Sequence, residues 1–184
     1  MRSGCFSASK KEKMNILYRG IKKEEYQFLE EMLYEALFVP PGQPEFPKSI
    51  IENPDIKKYI KNWNQKEDDL AIVGVKNDEL VGAIWGRKFK KEKKGYGFID
   101  ENTPEISMAV RSEYRNQGIG TCLINQIENK YFEIGISKLS LSVDKLNPAK
   151  KLYKRCGYKL FEEQETAITM FKQIKKSSRH NNAS

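Results

Sequence analysis

Arg115-Asn116-Gln117-Gly118-Ile119-Gly120-Thr121 is the stretch that decides the fold, between an apolar run ending at Val110 and a helical pattern ending near Gly135. Glycines at the first turn of a helix let the chain curve its unpaired N–H groups around an anion, and the partial positive charge there favours a phosphate. The heptapeptide indicates a strand, a phosphate-binding turn and a helix in succession. Taken alone, it also fits an ordinary strand-to-helix turn.

Two better-known phosphate-binding sequences do not fit this stretch. A dinucleotide fingerprint requires glycine at position 123, where the chain has Leu123, and a Walker loop requires Gly-Lys-Ser/Thr, which the chain lacks.

Apolar periodicity on both sides of the heptapeptide predicts a mixture of strands and helices. The predicted elements are a strand at 16–19, a helix at 22–37, a Pro-rich loop at 38–47, a helix from Asn53 through Trp63, a hairpin at 71–85 that turns at Asn77-Asp78, a strand at 105–110, the helix at 118–134, a strand at 139–143, a short helix at 148–156, and strands at 158–161 and 167–171. This order favours one central mixed sheet with helices on its faces.

The composition is typical of one domain with two basic ends. A chain of 184 residues has the length of a single domain. Of the net charge of +8, residues 1–13 carry +3 and residues 172–184 carry +4. We therefore predict flexible basic tails at 1–13 and 174–184 around a domain at 14–173, and nucleic acid is disfavoured as a partner.

The scarcity of long apolar runs, cysteine and histidine predicts where the protein is located and whether it binds a metal. The sequence has no apolar run of ~20 residues and no signal-peptide pattern, which predicts a cytoplasmic protein without a membrane partner. Three cysteines without Cys-x-x-Cys spacing and one histidine, His180, argue against a disulfide framework, a metal site and serine–histidine catalysis. Cys122 and Cys156 are interpreted as small apolar residues of helical cores.

Four segments in order resemble the GNAT superfamily of N-acetyltransferases. They are Glu105-Ile-Ser-Met-Ala-Val110, Tyr114-Arg115-Asn116-Gln117-Gly118-Ile119-Gly120, Asn147-Pro148-Ala149-Lys-Lys-Leu152-Tyr153 and Gly157-Tyr158. In that family an Arg/Gln-x-x-Gly-x-Gly/Ala loop binds the coenzyme A pyrophosphate, and Arg115, Gly118 and Gly120 match it. The similarity covers about residues 105–160.

The resemblance implies both a fold and an activity. The fold is a single α/β (α+β) domain, with a central mixed, mostly antiparallel sheet, a splayed parallel strand pair, and helices on both faces. The activity is transfer of an acetyl group from acetyl-CoA to a primary amine, directly within a ternary complex and without a metal. The acceptor is a small-molecule or peptide amine, and a homodimer remains open.

The resemblance also implies a set of coenzyme-binding and catalytic residues. Tyr153 is the expected proton donor to the departing thiolate, and Asn147 is expected to contact the pantetheine amide besides capping its helix. The remaining coenzyme-binding residues lie on the strand and the loop: Met108, Ala109, Val110, Arg115, Asn116, Gln117, Gly118, Ile119, Gly120 and Thr121.

A general base is needed because a free alkylamine has a pKa of ~10.4 and is mostly charged near neutral pH. Glu105 is the first candidate, and Glu101 and Asp100 are weaker ones. The acceptor is expected to meet the loop at 38–47, the helix bearing Tyr59 and Trp63, or the loop at 88–98. Tyr96, Phe98 and Trp85 are candidates to line the acceptor pocket. Core packing is the favoured role for Trp85.

Two other functions remain open at the level of sequence. The first is a noncatalytic acyl-CoA-binding or sensing module on the same fold. The second, less favoured, is a small nucleic-acid-binding protein that uses its basic tails.

Overall fold

A computed structural model describes residues 15–175 of the chain. The predictions for the N-terminal tail, for residues 176–184 and for His180 lie outside the described residues. Ile174, which the sequence places at the start of the C-terminal tail, is buried in the core, and its N–H donates to the Ser137 carbonyl at 2.7 Å.

Among the described residues, seven strands form one sheet in the order β1-β2-β3-β4-β5-β7-β6. All neighbouring strands run antiparallel except β4 and β5, which run parallel. The predicted mixed, mostly antiparallel sheet is therefore confirmed. The strands are β1 (Leu17–Gly20), β2 (Leu70–Lys76), β3 (Glu79–Arg87), β4 (Glu105–Val110), β5 (Lys138–Asp144), β6 (Lys159–Glu163) and β7 (Ala167–Gln173).

Helices cover both faces of the sheet and divide the apolar interior into two cores. The α-helices are α1 (Tyr26–Ala36), α2 (Pro54–Lys57), α3 (Ile119–Glu133) and α4 (Ala149–Arg155), and short 3-10 helices lie at Lys23–Glu25, Lys48–Glu52 and Ser112–Tyr114. One core packs α1 and the segment after α2 against the sheet, and the other packs α3 and α4. Among residues 15–175, no helix is long and apolar enough to cross a membrane.

The β2–β3 hairpin forms the central part of the sheet. Asn77 and Asp78 both have positive φ, at 49° and 64°, as a tight two-residue hairpin turn requires. Both strands are buried along most of their length because helices cover both faces. Trp85 is 1% exposed, so the predicted core role is correct and Trp85 does not line a pocket for the acceptor.

The helix predicted from Asn53 through Trp63 is wrong beyond its first turn. Asn53 caps the helix through its side chain, as predicted, but the α-helix contains only the four residues of α2. Arg87 Nη1 donates to the carbonyl oxygens of Lys58 and Lys61, at 2.9 and 2.8 Å. Residues 58–61 continue as hydrogen-bonded turns, and residue 62 has a positive φ of 52°. A long-range contact therefore overrides the local helical pattern.

A buried ion pair fixes this irregular segment to the sheet. The Arg87 guanidinium donates to both carboxylate oxygens of Asp69, at 3.0 and 2.5 Å, and the two side chains are 8% and 0% exposed. A buried charge is tolerated when an opposite charge lies beside it and its remaining donors have acceptors. Asp69 supplies the opposite charge, and the two carbonyl oxygens accept from the remaining Arg87 donor. The ion pair therefore holds the chain between α2 and β2 against the end of β3.

We expect Asp69→Ala to lower the free energy of unfolding by about 3–5 kcal/mol, because it leaves the Arg87 charge buried without a partner. Urea unfolding checks this value. Asp68→Ala is the matched control, because the neighbouring Asp68 forms a more exposed ion pair with Lys88 at 3.4 Å and should cost less than about 1 kcal/mol. Equal losses in the two variants would contradict the account.

Candidate active site

The parallel neighbours β4 and β5 are paired at a single position. Glu105 lies opposite Ser140, and the Ser140 N–H donates to the Pro104 carbonyl at 3.0 Å. Both strands are fully described, and no further register pair joins them. Beyond Glu105 the two strands diverge, so a gap opens in the sheet between residues 106–110 and β5.

Main-chain groups of β4 point into this gap. The Arg111 N–H donates to the Val81 carbonyl on β3, whereas the Pro104 carbonyl points to β5. Because main-chain groups along a strand alternate between its two edges, Met108 and Val110 face β5 and the gap. The same alternation directs the main chain of Ala109 toward β3. Of the three residues predicted to line the pantetheine arm, the two even-numbered ones therefore present their main chain to the gap.

The loop at the end of β4 presents a row of free amides. Asn116 and Gly118 have positive φ, at 61° and 83°, and α3 begins at Ile119. Within residues 15–175, the N–H groups of residues 117–121 have no hydrogen-bond acceptor. The first helical bond runs from Cys122 to the Gly118 carbonyl at 3.2 Å. The loop has the geometry of an anion site at a helix N-terminus.

The two glycines of the loop have different roles. At Gly118 the position of an added Cβ has no atom within 4 Å, so that side of the loop is open. At Gly120 an added Cβ would lie 3.0 Å from Leu152 Cδ2 and 3.4 Å from Met108 Cε. The first glycine supplies the left-handed turn, and the second lets the start of α3 pack closely against β4 and α4.

The side chains of the loop hold its shape. Arg115 Nε donates to the Val110 carbonyl at 2.8 Å, and its Nη2 donates to Glu35 of α1 at 2.9 Å. Gln117 Nε2 donates to the Glu113 carbonyl at 2.9 Å. Sequence reasoning missed Glu35 because it lies 80 residues from its partner, with no local pattern linking the two.

Asn147 lies in the loop that follows β5. Its side-chain oxygen accepts a hydrogen bond from the Ala149 N–H at 2.9 Å, as a capping residue does, although α4 begins at Ala149 and Pro148 directly precedes it. Its predicted contact with pantetheine stays a prediction.

Tyr153 lies on α4 in the core beside the gap. It is 7% exposed and packs edge-to-face on Tyr158, with ring centroids 6.0 Å apart. Burial raises the pKa of Tyr153 to about 12. Among the described residues, its hydroxyl has no hydrogen-bond partner, which leaves it available to a ligand.

Glu105 is buried at the point where the gap begins. It is 3% exposed, and its Oε1 accepts a hydrogen bond from the Tyr59 hydroxyl at 2.8 Å. Burial raises the pKa of Glu105 to about 7, with the Tyr59 hydrogen bond, the Gly97 main-chain N–H and the Lys58 charge acting in the opposite direction. The other oxygen, Oε2, is buried and has no partner within residues 15–175. A carboxyl group with these properties is suited to exchanging a proton near neutral pH.

The two weaker base candidates are less suited to this chemistry. Burial of Asp100 is outweighed by hydrogen bonds from Lys138, Thr103 and Asn102, which lower its pKa. Glu101 is 44% exposed and accepts a hydrogen bond from a main-chain N–H of the basic loop at 2.9 Å. Asp100 therefore has a lowered pKa and Glu101 is exposed, whereas Glu105 is buried.

The predicted acceptor-binding segments lie on the same face of the sheet as Glu105. Tyr96 is 51% exposed and stacks on Tyr59 with an interplanar angle of 9°, and Phe98 packs against the α1-side core. An open groove of about 730 Å³ also runs along α1 on this face. Five of its eleven lining residues are glutamates, which the sequence analysis did not anticipate: Glu24, Glu25, Glu30, Glu31 and Glu35.

The described cysteines do not form a nucleophilic or metal-binding centre. Cys122 is exposed, so the prediction that it belongs to a helical core is wrong: α3 turns residues 123, 124 and 127 inward and places Cys122 outside. Cys156 is partly buried, as predicted. In the part of the chain described, no group of three or more potential ligand residues could hold a metal ion.

The chain matches the acetyltransferase (GNAT) family over residues 30–158. It is also similar to an uncharacterized N-acetyltransferase of Methanocaldococcus jannaschii, with 40% identity over 166 residues, covering 85% of this chain and 91% of the relative. The chain therefore belongs to the GNAT family of acetyltransferases, which confirms the resemblance found in the sequence.

Solved structures share the same fold. The PaiA N-acetyltransferase of Thermoplasma acidophilum in complex with coenzyme A superposes with a TM-score of 0.65 at 19% identity, covering 87% of this chain and 99% of that protein. An acetyltransferase of the GNAT family from Streptococcus pneumoniae gives a TM-score of 0.62 at 16% identity, covering 88% of this chain and 100% of that protein.

We expect Glu105→Gln to flatten the dependence of stability on pH. A carboxyl whose pKa rises from 4.5 to about 7 on folding binds its proton more tightly in the folded state. The stability it contributes is complete below the unfolded pKa and is lost as the pH rises through the folded pKa. From about pH 5 to pH 8 the free energy of unfolding of the parent should fall by about 2–3 kcal/mol through this group, and the variant should not show this fall.

Urea unfolding at the two pH values measures the difference. The exposed Glu101→Gln is the control and should follow the parent. Parallel pH profiles for the parent and Glu105→Gln would show that Glu105 has an ordinary pKa.

Proposed function

We propose that this GNAT acetyltransferase transfers an acetyl group from acetyl-CoA to a primary amine, with both substrates bound together. The observation that carries the proposal is the row of amides without acceptors at residues 117–121, placed where the gap between β4 and β5 ends. These amides suit the pyrophosphate of coenzyme A, and the free edge of β4 suits its pantetheine arm.

The residues at the gap fit acetyl-CoA in shape and in hydrogen-bonding capacity. The open side of Gly118 leaves room for phosphate oxygens beside N–H donors. The main chains of Met108 and Val110 can bond to the pantetheine amides as an added strand would. Asn147 lies at the end of the neighbouring β5, where its amide can reach the same arm.

Glu105 is proposed as the group that removes the proton from the attacking amine. A pKa of about 7 lets a carboxylate accept a proton near neutral pH and still hold it long enough to pass it to solvent. Glu105 packs on the α1 side of the sheet, whereas Tyr153 packs on the α3 and α4 side. The gap joins the two faces, so the amine and the coenzyme can meet from opposite sides.

Two further steps complete the proposed transfer. Main-chain N–H groups near Met108 to Val110 stabilise the negative charge that develops on the thioester oxygen. Tyr153 then donates its phenolic proton to the departing sulfur. A phenol with a pKa of about 12 is a weak acid. Burial raises the pKa of the departing thiol as well, which reduces the difference in pKa between the phenol and the thiol within the site.

The acceptor is proposed to be a small-molecule or peptide amine that enters from the face bearing Tyr59 and Tyr96. The acidic groove along α1 lies on this face, and its charge favours a cationic amine before deprotonation. Release of free thiol from acetyl-CoA in the presence of pools of polyamines, amino acids and peptides identifies the acceptor. Coenzyme binding without turnover across all of these pools would favour a noncatalytic acyl-CoA-binding module.

We expect Gly118→Ala to weaken coenzyme A binding by roughly tenfold or more, or about 1.4 kcal/mol, because its methyl group projects into the open side of the loop. Gly135→Ala is the matched control, since Gly135 has nearly the same φ, 82°, and equally open surroundings. Both substitutions should cost a similar stability of about 1–2 kcal/mol. Calorimetric titration with coenzyme A separates them, and equal affinities would argue against the loop as the pyrophosphate site.

We expect Tyr153→Phe to lower the rate of the chemical step by roughly 100-fold while sparing acetyl-CoA affinity. The substitution removes only the hydroxyl, which has no partner among the described residues, and keeps the ring that packs on Tyr158. Single-turnover thiol release and calorimetry measure the two quantities. Tyr158→Phe is the control for loss of a neighbouring buried hydroxyl, and an unchanged rate in Tyr153→Phe would remove this role.

A further inference from the structure

Tyr59 connects the buried carboxylate of Glu105 to the loop that covers it. Tyr59 is 7% exposed and lies 46 residues before Glu105 in the sequence. Its hydroxyl donates to Glu105 Oε1 at 2.8 Å and accepts a hydrogen bond from the Tyr96 main-chain N–H at 2.6 Å. No sequence pattern signals this pairing, because the three residues lie on separate elements.

The direction of this hydrogen-bond chain is fixed when Glu105 is ionised. A main-chain N–H can only donate, so the Tyr59 oxygen is the acceptor from Tyr96. The single hydroxyl proton is then free to point to Glu105 Oε1, which as a carboxylate oxygen can only accept it. Oε1 is thereby occupied, and Oε2 remains the carboxylate oxygen without a partner.

The covering loop lies directly against Oε2. A Cβ added at Gly95 would lie 2.0 Å from this oxygen, and one added at Gly97 would lie 2.5 Å from the main chain of Leu141 on β5. Glycine is therefore required at both positions if the loop is to pack on the carboxylate and the edge of the gap. The position of this loop and the orientation of the carboxylate are coupled through the Tyr59 hydroxyl.

We propose that Tyr59 is a positioning residue for the transfer reaction: it holds Glu105 Oε1 and the covering loop in place and leaves Oε2 to receive the amine proton. This inference rests on the proposed function. In the step concerned, an N–H bond of the attacking ammonium breaks and an O–H bond forms at Oε2, directly or through a water molecule, because the covering loop buries this oxygen. The nitrogen keeps the electron pair with which it attacks the thioester carbon.

The surroundings of Glu105 contain few other groups that could set its proton affinity. Lys58 contributes a positive charge, although its Nζ also contacts the Lys94 carbonyl at 2.8 Å and Asp55 at 3.2 Å. Arg87 lies opposite Glu105 in the β3–β4 register, but its guanidinium binds Asp69. Tyr96 faces the site from the loop, and Ser140 faces it from β5 as a neutral residue. The Gly97 main-chain N–H also lowers the pKa of Glu105, and Tyr59 is the side chain that donates a hydrogen bond to the carboxylate.

The test compares Tyr59→Phe with the parent by ¹³C NMR of full-length protein labelled at the glutamate side-chain carboxyl carbon, with Glu105→Gln used to assign the signal. The variant should raise the pKa of Glu105 by roughly one unit, because it loses a hydrogen bond to the ionised form. Tyr131→Phe is the matched control: it also removes a buried hydroxyl, one that donates to the Asp68 carbonyl at 3.0 Å, and should leave the Glu105 signal unchanged.

Turnover is then measured against pH with acetyl-CoA and the best amine from the acceptor screen. In the pH profile of kcat, Tyr59→Phe should shift the acidic limb to higher pH by about one unit and lower the plateau. The KM for acetyl-CoA should be unchanged. Adding Tyr59→Phe to Glu105→Gln should then have no further effect on kcat. An unmoved Glu105 titration, or a loss of rate that persists in the Glu105→Gln background, would overturn the positioning role.

Failure of the underlying function gives a different result. If Glu105→Gln turns over as fast as the parent, Glu105 is not the base, and the catalytic role of Tyr59 falls with it. The NMR titration reports on the Tyr59–Glu105 contact in the same samples without any turnover, so the two failures are distinguishable.

Discussion

The separation of β4 from β5 after one paired position is the constraint on which the site depends. Main-chain groups in the middle of a sheet ordinarily bond to the neighbouring strand, and leaving them without partners in a dry interior is costly. Here Met108 and Val110 face a gap. The proposed function supplies partners for them, because the amide groups of a bound pantetheine arm would bond to these main-chain groups and restore the continuity of the sheet. The amides of the following loop extend the same binding surface to an anion.

Burial on both faces of the sheet divides the chemistry between two environments. Glu105 is enclosed by Tyr59 and the covering loop on the α1 side, and Tyr153 is enclosed by α3 and α4 on the other. In both cases removal from water raises the pKa, which converts a carboxylate into a group that titrates near neutral pH and keeps a phenol protonated. Within residues 15–175, the gap is where the two faces of the sheet meet without a pair of bonded strands between them.

Short-range patterns in the sequence predicted the fold well, because strand alternation, tight turns and helix caps depend on neighbouring residues. The Asn77-Asp78 turn, the Asn147 cap and the left-handed Gly118 are examples. Contacts between distant residues could not be predicted. Arg87 ends α2 early by binding two of its following carbonyl groups, and Tyr59 reaches Glu105 from 46 residues away. The glutamate itself could be chosen from its strand and its family resemblance, but the groups that tune it could not.

The central claim is that coenzyme A is bound by the main chain of the loop and the gap. The most direct measurement is a coenzyme A titration followed by ¹H–¹⁵N NMR of the uniformly labelled full chain. We expect the largest amide shifts to fall on residues 117–121 and on Met108 and Val110. Shifts concentrated on the acidic groove of α1, or no shifts at saturating coenzyme A, would contradict it.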